Sequence, residues 1–401
     1  MNCSAISRPA STKATPAPSA GGRHFRSVPL RHWAALGILA FASCTANATE
    51  YTVLVLQSLT GGAAFIGVPA KDGIVLAAEE INRKQELGAG NSLKLVIADD
   101  ATDRGQSLAL ITRYAADPKV LMVMGPTSGA LSVGASNAAH DLKIPLLMNS
   151  NSLDVLKAGI WGNILTQPAA NVVPFMNNYA TDKLKLKNCS IIGLGDSDGY
   201  VMMQQAFESG AKTRGMKIGI VETIKGTDSD FSAIATKITA STDQDCVFIS
   251  ASAPQSANIV VQLRQAGLDP KVRIIGHTGL ASPQFVERGG KAVEGVTLLG
   301  DWVPGGADDF GRAFATAYKA KYNTDPDNWA AIGYGGMLVA AAAIKAAGPN
   351  PTREAIRAAL AKTKDVRVVV GQGRFSFDEQ RVPRTGMNVL EVRNGKFVLA
   401  P

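Results

Sequence analysis

Short runs of Val, Ile and Leu alternate with longer amphipathic stretches between Tyr51 and Gly276. Runs that are apolar throughout are typical of parallel strands buried on both faces, and amphipathic stretches are typical of helices that cover a sheet. The pattern therefore predicts an α/β fold. The predicted strands are 52–57, 93–98, 120–124, 145–148, 189–194, 217–223, 246–250 and 273–276. The predicted helices are 70–82, 105–116, 130–142, 201–214, 231–239 and 255–266.

The predicted strands divide into two groups at Gln167-Pro168. Each group needs a sheet of its own, because so many strands with helices on both faces exceed one small core. We therefore expect two doubly wound lobes. After Gly276 the pattern becomes irregular, with helices predicted at 308–321 and 335–347 and strands at 374–377, 388–392 and 396–399. Strands that return so late indicate that the chain crosses back between the lobes.

The first 48 residues differ from the rest, since they hold five basic residues and no acidic one. The apolar stretch 33–42 follows the basic segment and precedes Ala46-Asn47-Ala48, which is the three-part pattern of a secretory signal peptide. About ten apolar residues are too few to span a bilayer. We expect residues 1–48 to be removed on export to the periplasm, with a membrane anchor or a lipid on Cys44 as alternatives.

Removal of this leader lowers the net charge from +8 to +3, so most of the positive charge belongs to the leader. No Lys/Arg-rich patch with interleaved aromatic residues follows, and we expect no nucleic-acid partner. The two remaining cysteines, Cys189 and Cys246, would lie on neighbouring strands of a 2-1-3-4-5 sheet. An oxidising compartment permits a bridge, but adjacent parallel strands offer poor geometry for one, so the sequence favours two buried free thiols.

The loops that leave the carboxyl ends of parallel strands form the ligand crevice of an open sheet. Ser128 follows a strand and precedes a helix whose first amides lack acceptors, an arrangement that fits a carboxylate. Ser152 repeats the arrangement after the next strand, so two loops could hold one carboxylate together. The alternative is that both serines only cap helices. His277 ends a strand at the crevice and is the histidine considered for ligand contact.

Two other patterns resemble a metal site and a nucleotide site, but each lacks residues that such a site needs. Asp99, Asp100 and Asp103 lack the companion ligands of a calcium loop, so a solvated turn and helix cap is favoured. The stretch 193–199 (GLGDSDG) imitates a dinucleotide fingerprint, but its third glycine is late and its aspartates would repel a pyrophosphate. No Ser/His/Asp elbow, paired cysteine motif or HExxH helix is present. We expect neither catalysis, nor a metal, nor a cofactor.

Several stretches, taken in order and spacing, resemble the type I periplasmic solute-binding proteins of branched-chain (hydrophobic) amino acid ABC importers. The resemblance runs from Tyr51 to Leu399 and rests on LTGGAAFIG with AAEEIN (59–82), IADDATD (97–103), GPTSGA (125–130), IPLLMNSNS (144–152), GTDSDFSAIATKI (226–238), LRQAGL (263–268) and GLASPQF…GGKAVEGV (279–296). It implies two lobes joined by a three-stranded hinge, which close on a ligand and dock on permease subunits. The expected boundaries are 49–167 with 280–372 for the first lobe and 168–279 with 373–401 for the second.

The resemblance also implies a ligand site. Hydroxyls at Ser128 and Ser152 would hold an α-carboxylate with backbone contacts beside them, and the loop after the first strand would give the ligand's side chain an apolar wall. The residues expected at the site are Phe65, Ile66, Ser128, Ser150, Asn151, Ser152, Asp198, Tyr200, His277 and Thr278.

Two positions depart from the family. Asp198 stands where the family has Tyr, with Tyr200 two residues later, and Thr278 stands where the family has the acidic partner of the α-amino group. A buried ammonium without a carboxylate would be costly. Either Asp198 supplies that carboxylate, or the ligand lacks the amine and His277 and Thr278 donate hydrogen bonds to an aromatic or aliphatic carboxylate.

These observations predict a monomeric, exported, non-enzymatic receptor. It would capture a hydrophobic amino acid of the Leu/Ile/Val type, or a related carboxylate, and deliver it to an ABC importer. A receptor for a non-amino carboxylate, a sensory ligand-binding module and a dinucleotide enzyme are the alternatives.

Overall fold

The computed structural model describes residues 48–150, 152–305 and 308–401. The first sheet consists of β1 (Glu50–Gln57), β2 (Ser92–Asp99), β3 (Val120–Met124), β4 (Leu146–Met148) and β5 (Gly162–Ile164). These strands are parallel and lie in the spatial order β2-β1-β3-β4-β5. Every residue of β1 after Glu50 is buried, which explains why this strand forms a continuous apolar run in the sequence.

The second sheet repeats this winding and then gains two antiparallel strands. Its parallel strands are β6 (Asn188–Leu194), β7 (Lys217–Ile224), β8 (Cys246–Ser250), β9 (Arg273–Gly276) and β10 (Thr297–Gly300). A small antiparallel sheet follows, made of β11 (Val366–Arg367), β12 (Arg374–Phe377) and β13 (Pro383–Arg384). Then β14 (Asn388–Arg393) and β15 (Lys396–Leu399) complete the second sheet in the order β15-β14-β10-β9-β8-β6-β7.

Helices cover both faces of each sheet. Alternate residues of β1 show this, because Val53 and Val55 enter one buried cluster while Leu54 and Leu56 enter another. The helices are α1 (Ala64–Arg83), α2 (Arg104–Ala115), α3 (Gly129–Leu142), α4 (Asp154–Lys157), α5 (Ala169–Asn178), α6 (Asp198–Thr213), α7 (Ser232–Thr239), α8 (Ala253–Gln265), α9 (Pro283–Gly289), α10 (Asp309–Tyr322), α11 (Asn328–Ala346) and α12 (Arg353–Ala361). Each lobe is therefore doubly wound, as the sequence pattern predicts.

Two helices begin six or more residues earlier than predicted. Helix α1 begins at Ala64 rather than at Ala70, and it tolerates the loss of one backbone hydrogen bond at Pro69. Helix α11 begins at Asn328 rather than at Gly335, and Asp327 caps it by accepting a hydrogen bond from the Ala330 amide at 2.8 Å. Both extensions reach the gap between the lobes.

Helices α1 and α11 pack so closely that glycines separate them. A Cβ atom at Gly73 would overlap the carbonyl oxygen of Ala330, and one at Gly333 would overlap that of Ala70. By length and mean hydropathy (1.3) α11 could cross a membrane, but 78% of its apolar window is buried inside the protein. It is the core helix of the first lobe.

The lobes are joined at three crossings, near residues 165–168, 301–302 and 385–388. Two of the expected boundaries are corrected by the packing. Leu298 on β10 and Phe285 on α9 lie in the core of the second lobe, not the first. Phe375 and Phe377 on β12 lie in the core of the first lobe, not the second. The sequence pattern missed β10 and so placed the second crossing at the wrong residue. It placed the third crossing wrongly because it assigned β12 to the second lobe, although β12 pairs with β11 and β13 in the small sheet.

The two cysteines form a disulfide bond, which corrects the expectation of free thiols. Cys189 on β6 and Cys246 on β8 are direct partners in the parallel register, and their Cα atoms are 4.5 Å apart. This separation lies inside the range that a disulfide needs. Both residues are fully buried, so the bond lies in the core of the second lobe and joins the starts of two neighbouring strands.

Candidate functional site

A cavity of about 70 Å³ lies between the lobes, where loops from the carboxyl ends of both sheets meet. About 10–15 Å³ is needed for one water-sized group, so the cavity holds on the order of five such groups, which suits a small molecule rather than a nucleotide. The lining residues are Ile66, Thr127, Ser128, Gly129, Asn149, Thr166, Ser197, Gly199, Tyr200, Met203, His277, Thr278, Gly279 and Trp329. This lining contains no Lys, Arg, Asp or Glu among the described residues, so a ligand in this cavity meets only neutral side chains there.

The acidic turn after β2 shapes the loop that follows β1. Asp100 accepts a hydrogen bond from the Ser58 hydroxyl at 2.6 Å, and Asp99 accepts one from the Leu59 amide at 2.8 Å. Neither carboxylate is therefore a simple solvated charge. In the described part of the chain no group of three His, Cys, Asp or Glu side chains is placed to hold a metal ion. The turn instead fixes the start of α1, which carries Ile66 into the cavity wall.

The β3–α3 loop presents a free hydroxyl to the cavity. The neighbouring Thr127 hydroxyl is occupied, because it donates to Gln57 and accepts from the Ser58 amide, both at 2.8 Å. Ser128 occupies the N-cap position of α3, yet its side chain caps no amide. Its Oγ is buried without a hydrogen-bond partner among the described residues. An acceptor atom from a ligand would satisfy this hydroxyl and the first amides of α3.

The loop after β4 differs from its neighbour, because its serines bond within the loop. Ser152 Oγ accepts from the Asp154 amide at 3.2 Å, and Ser150 Oγ accepts from the Ser152 amide at 3.2 Å. Both serines are buried outside the cavity lining, whereas Asn149 and Thr166 lie in it. The Ser152 hydroxyl therefore bonds within its own loop, which corrects its expected place as a ligand hydroxyl. Leu153, not Ser152, occupies the N-cap position of α4, so Ser152 does not cap that helix either. Asn151, the other residue expected in this loop, lies outside the described residues.

In the second lobe the start of α6 turns Asp198 away from the cavity. Asp198 is the first residue of α6 and is exposed, while Ser197 and Gly199 on either side of it line the cavity. This placement corrects the expectation that Asp198 meets the ligand. Tyr200 and Met203, on the inner face of the helix, supply the wall instead. Burial raises the pKa of Tyr200, so its hydroxyl stays protonated.

His277 is buried at the end of β9 with both ring nitrogens occupied. Nδ1 accepts from the Gly279 amide at 3.0 Å, which places the proton on Nε2, 3.0 Å from Ser250 Oγ. The Ser250 hydroxyl in turn donates to the Tyr200 carbonyl oxygen at 2.7 Å. This bonding leaves His277 no free N–H, which corrects the expectation that it donates to a ligand. Burial also lowers the pKa of His277 to about 3, so the ring is neutral.

We expect the His277 ring to keep one tautomer, protonated at Nε2, from pH 8 down to pH 5. Imidazole nitrogen chemical shifts would measure this, with the urea-unfolded protein as the titrating control. Because the folded pKa lies below the unfolded value, the stability that the neutral ring contributes is present above about pH 6.5 and is lost as pH falls toward 3. A titration of the folded protein centred near pH 6.5 would contradict the proposed bonding.

Thr278 and Gly279 complete this wall. A Cβ atom on Gly279 would lie 2.6 Å from His277 Cε1 and 2.8 Å from Tyr200 Cε1, so any side chain there would displace one of the rings. The two rings are 5.5 Å apart between centroids, in a tilted arrangement. Glycine at this position therefore fixes where Tyr200 meets the cavity.

The fold and the interlobe cavity can be compared with those of known proteins. The family described as periplasmic binding protein matches residues 50–396. The chain belongs to the periplasmic binding protein family. The resemblance found in the sequence is confirmed.

This periplasmic binding protein is similar to several individual proteins along most of its length. A leucine-, isoleucine-, valine-, threonine- and alanine-binding protein of Pseudomonas aeruginosa is 25% identical over 358 residues, which cover 87% of this chain and 91% of the relative. The branched-chain amino acid transporter substrate-binding protein of Streptococcus pneumoniae, solved with isoleucine, has a TM-score of 0.79 at 24% identity and covers 88% of this chain and 99% of its own. A solute-binding protein of R. palustris in complex with benzoate has a TM-score of 0.77 at 19% identity. The match covers 87% of this chain and 95% of that protein. These structures confirm the predicted two-lobed type I fold.

Among the residues expected at the ligand site of this periplasmic binding protein, Ile66, Ser128, Tyr200, His277 and Thr278 line the cavity. Phe65 does not line it. Its half-buried ring packs against the cores of both lobes.

Sequence reasoning missed several lining residues, of which Trp329 is the largest. Trp329 lies in the first turn of α11, before the predicted start of that helix, and its indole Nε1 is buried without a partner in the described part of the chain. Asp327, two residues earlier, is an ordinary N-cap signal and would have located the turn. Thr166 lies at a lobe crossing, outside any helix or strand, so the alternation of apolar and polar residues gives no signal for it.

Proposed function

We propose that this periplasmic binding protein captures a small hydrophobic carboxylate between its lobes. An amino acid of the Leu/Ile/Val type is the first candidate, because relatives of similar length carry that description. The observation that carries the proposal is the pair of unpartnered donors, Ser128 Oγ and Trp329 Nε1, on residues that line one cavity. A buried donor without an acceptor costs about 1–3 kcal/mol, and a carboxylate would supply acceptors for both.

The rest of the lining suits an apolar side chain on that ligand. Ile66, Met203 and the face of Trp329 offer hydrocarbon surface, and the small cavity favours a ligand with few atoms. Closure of the lobes would remove this surface from water and so favour the ligand-bound state.

A carboxylate without an amine is the second candidate. The absence of an acidic side chain from the described lining favours it, and a structural neighbour is in complex with benzoate. The choice between an amino acid and a simple carboxylate depends on whether a negatively charged side chain lies within reach of the ligand's ammonium group.

The cellular role we propose follows the family. Residues 1–48 would act as a cleaved signal peptide, with a lipid on Cys44 as the alternative, and this leader lies outside the described residues except for Ala48. The closed, monomeric receptor would then pass its ligand to the permease subunits of an ABC importer. We propose no catalytic step.

A ligand screen tests the proposal. Protein freed of bound ligand by unfolding and refolding would be heated with leucine, isoleucine, valine, 4-methylpentanoate or benzoate. Leucinamide, which keeps the side chain and amine of leucine but lacks its carboxylate, is the matched control. We expect at least one carboxylate to raise the melting temperature and leucinamide to leave it unchanged. Equal shifts with leucine and leucinamide, or no shift with any carboxylate, would refute it.

A further inference from the structure

A buried carboxylate lies beside the ligand cavity at the middle crossing of the hinge. Asp301 follows β10 and is only 6% exposed. Its amide donates to Asn328 Oδ1 at 2.7 Å, and its carbonyl oxygen accepts from the Gly371 amide at 2.7 Å. These bonds fix the Asp301 backbone where elements of both lobes converge.

Asp301 lines a second, very small cavity. This cavity measures about 10 Å³, and its lining includes Thr166, Thr278 and Trp329, which also line the ligand cavity. The two cavities therefore adjoin. A volume near 10 Å³ accommodates one water-sized group, and a primary ammonium group has that size.

Asp301 lacks a cationic partner in the described part of the chain. The hydrogen bond to its carboxylate comes from Asn328 Nδ2 at a long 3.4 Å, and no Lys or Arg lines either cavity among the described residues. A buried carboxylate without a cation is costly, and burial accordingly raises the pKa of Asp301 to about 6. An ammonium group placed beside it would remove that cost.

We infer that Asp301 is the counter-ion for the α-amino group of an amino acid ligand. The ammonium group would enter the small cavity between Thr166 and Thr278, while the carboxylate of the same ligand meets Ser128 and the start of α3. Asp301 would thereby replace the acid that the family carries at position 278. The inference rests on the proposed function and selects the amino acid over the simple carboxylate.

Asp301→Asn tests this, because it keeps the shape of the side chain and removes its charge. We expect calorimetric titration at pH 7.5 to show at least about a 30-fold loss of leucine affinity, since removing one member of a buried charge pair leaves the other unpaired. The affinity for 4-methylpentanoate, which is leucine without its amine, should change by less than about threefold. Asp198→Asn is the matched control, and we expect it to change neither affinity because Asp198 is exposed.

Equal losses for both ligands in Asp301→Asn would mean that Asp301 only stabilises the hinge, and an unchanged leucine affinity would likewise overturn the inference. A leucine-specific loss in Asp198→Asn would move the ammonium site to that residue. If the unaltered protein binds 4-methylpentanoate but not leucine, the inference fails while the carboxylate receptor stands. If it binds no carboxylate at all, the proposed function is refuted, and the inference that rests on it is refuted too.

Proton release provides a second measurement on the unaltered protein. Near pH 6 about half of Asp301 is protonated, so leucine binding should release up to about half a proton and 4-methylpentanoate none. His277 and Tyr200 do not titrate there, because burial lowers the pKa of the first to about 3 and raises that of the second. Asp327, whose pKa burial raises to about 7, lies outside both linings, and the Asp301→Asn variant measures its share of the release. Equal release, measured by calorimetry in two buffers, would overturn the inference.

Discussion

Loss of the Cys189–Cys246 disulfide is expected to lower the free energy of unfolding by about 4 kcal/mol. The bond joins residues 57 positions apart, and closing a loop of that length removes a corresponding amount of conformational entropy from the unfolded chain. Because both sulfurs are buried, the bond should be reduced in the unfolded protein before refolding with reductant. Urea melts of the reduced and oxidised forms would then give the difference.

A double variant, Cys189→Ala with Cys246→Ala, provides the control for the effect of reductant elsewhere in the chain. It should resemble the reduced protein in stability, with a further loss from the small cavities that it creates. Ligand affinity should change little, because neither cysteine lines the cavity. Coincident melts of the reduced and oxidised protein would show that the bridge does not constrain the unfolded state.

Ser128→Ala is expected to weaken ligand binding by about 1–3 kcal/mol, or roughly 5- to 150-fold. The reason is that Ser128 Oγ has no partner in the described part of the chain, so its hydrogen bond should go to the ligand. Titration calorimetry with the ligand found in the screen would measure the loss. The melting temperature without ligand should change little, because the hydroxyl caps no amide of α3.

Ser152→Ala is the matched control for that experiment. The Ser152 hydroxyl accepts from the Asp154 amide within the loop, so its removal should cost about 1 kcal/mol of stability and leave affinity nearly unchanged. Equal losses of affinity in both variants would restore the two-serine carboxylate site that the sequence suggested. An unaffected Ser128→Ala variant would remove that residue from the site.

The parts of the fold that the sequence predicted are those governed by local periodicity. Val120–Met124, Cys246–Ser250 and Arg273–Gly276 match their predicted bounds, because buried parallel strands are apolar throughout. Short strands such as Gly162–Ile164 carry too few residues to show a period. The strand Thr297–Gly300 was also missed, because it lies where the alternation of strands and helices had become irregular, and with it the second crossing was misplaced.

The site was predicted less well than the fold, because its chemistry depends on side-chain direction and on distant partners. Spacing places Asp198 at the mouth of the crevice, but at the first position of a helix its side chain turns to solvent. His277 was located correctly, while its bond to Ser250, 27 residues away in sequence, decides that it is not a free donor. Asp301 carries no motif, and only the hinge brings it near Thr278.

The glycine contact between α1 and α11 also governs how wide the binding cavity is. Ile66 and Trp329 stand in the first turns of these two helices and face the cavity from there. The helix spacing is set by Gly73 and Gly333, neither of which lines the cavity. A change from glycine to alanine at either position would therefore push the helices apart and alter the size of ligand that fits. The residues that contact the ligand would all stay the same.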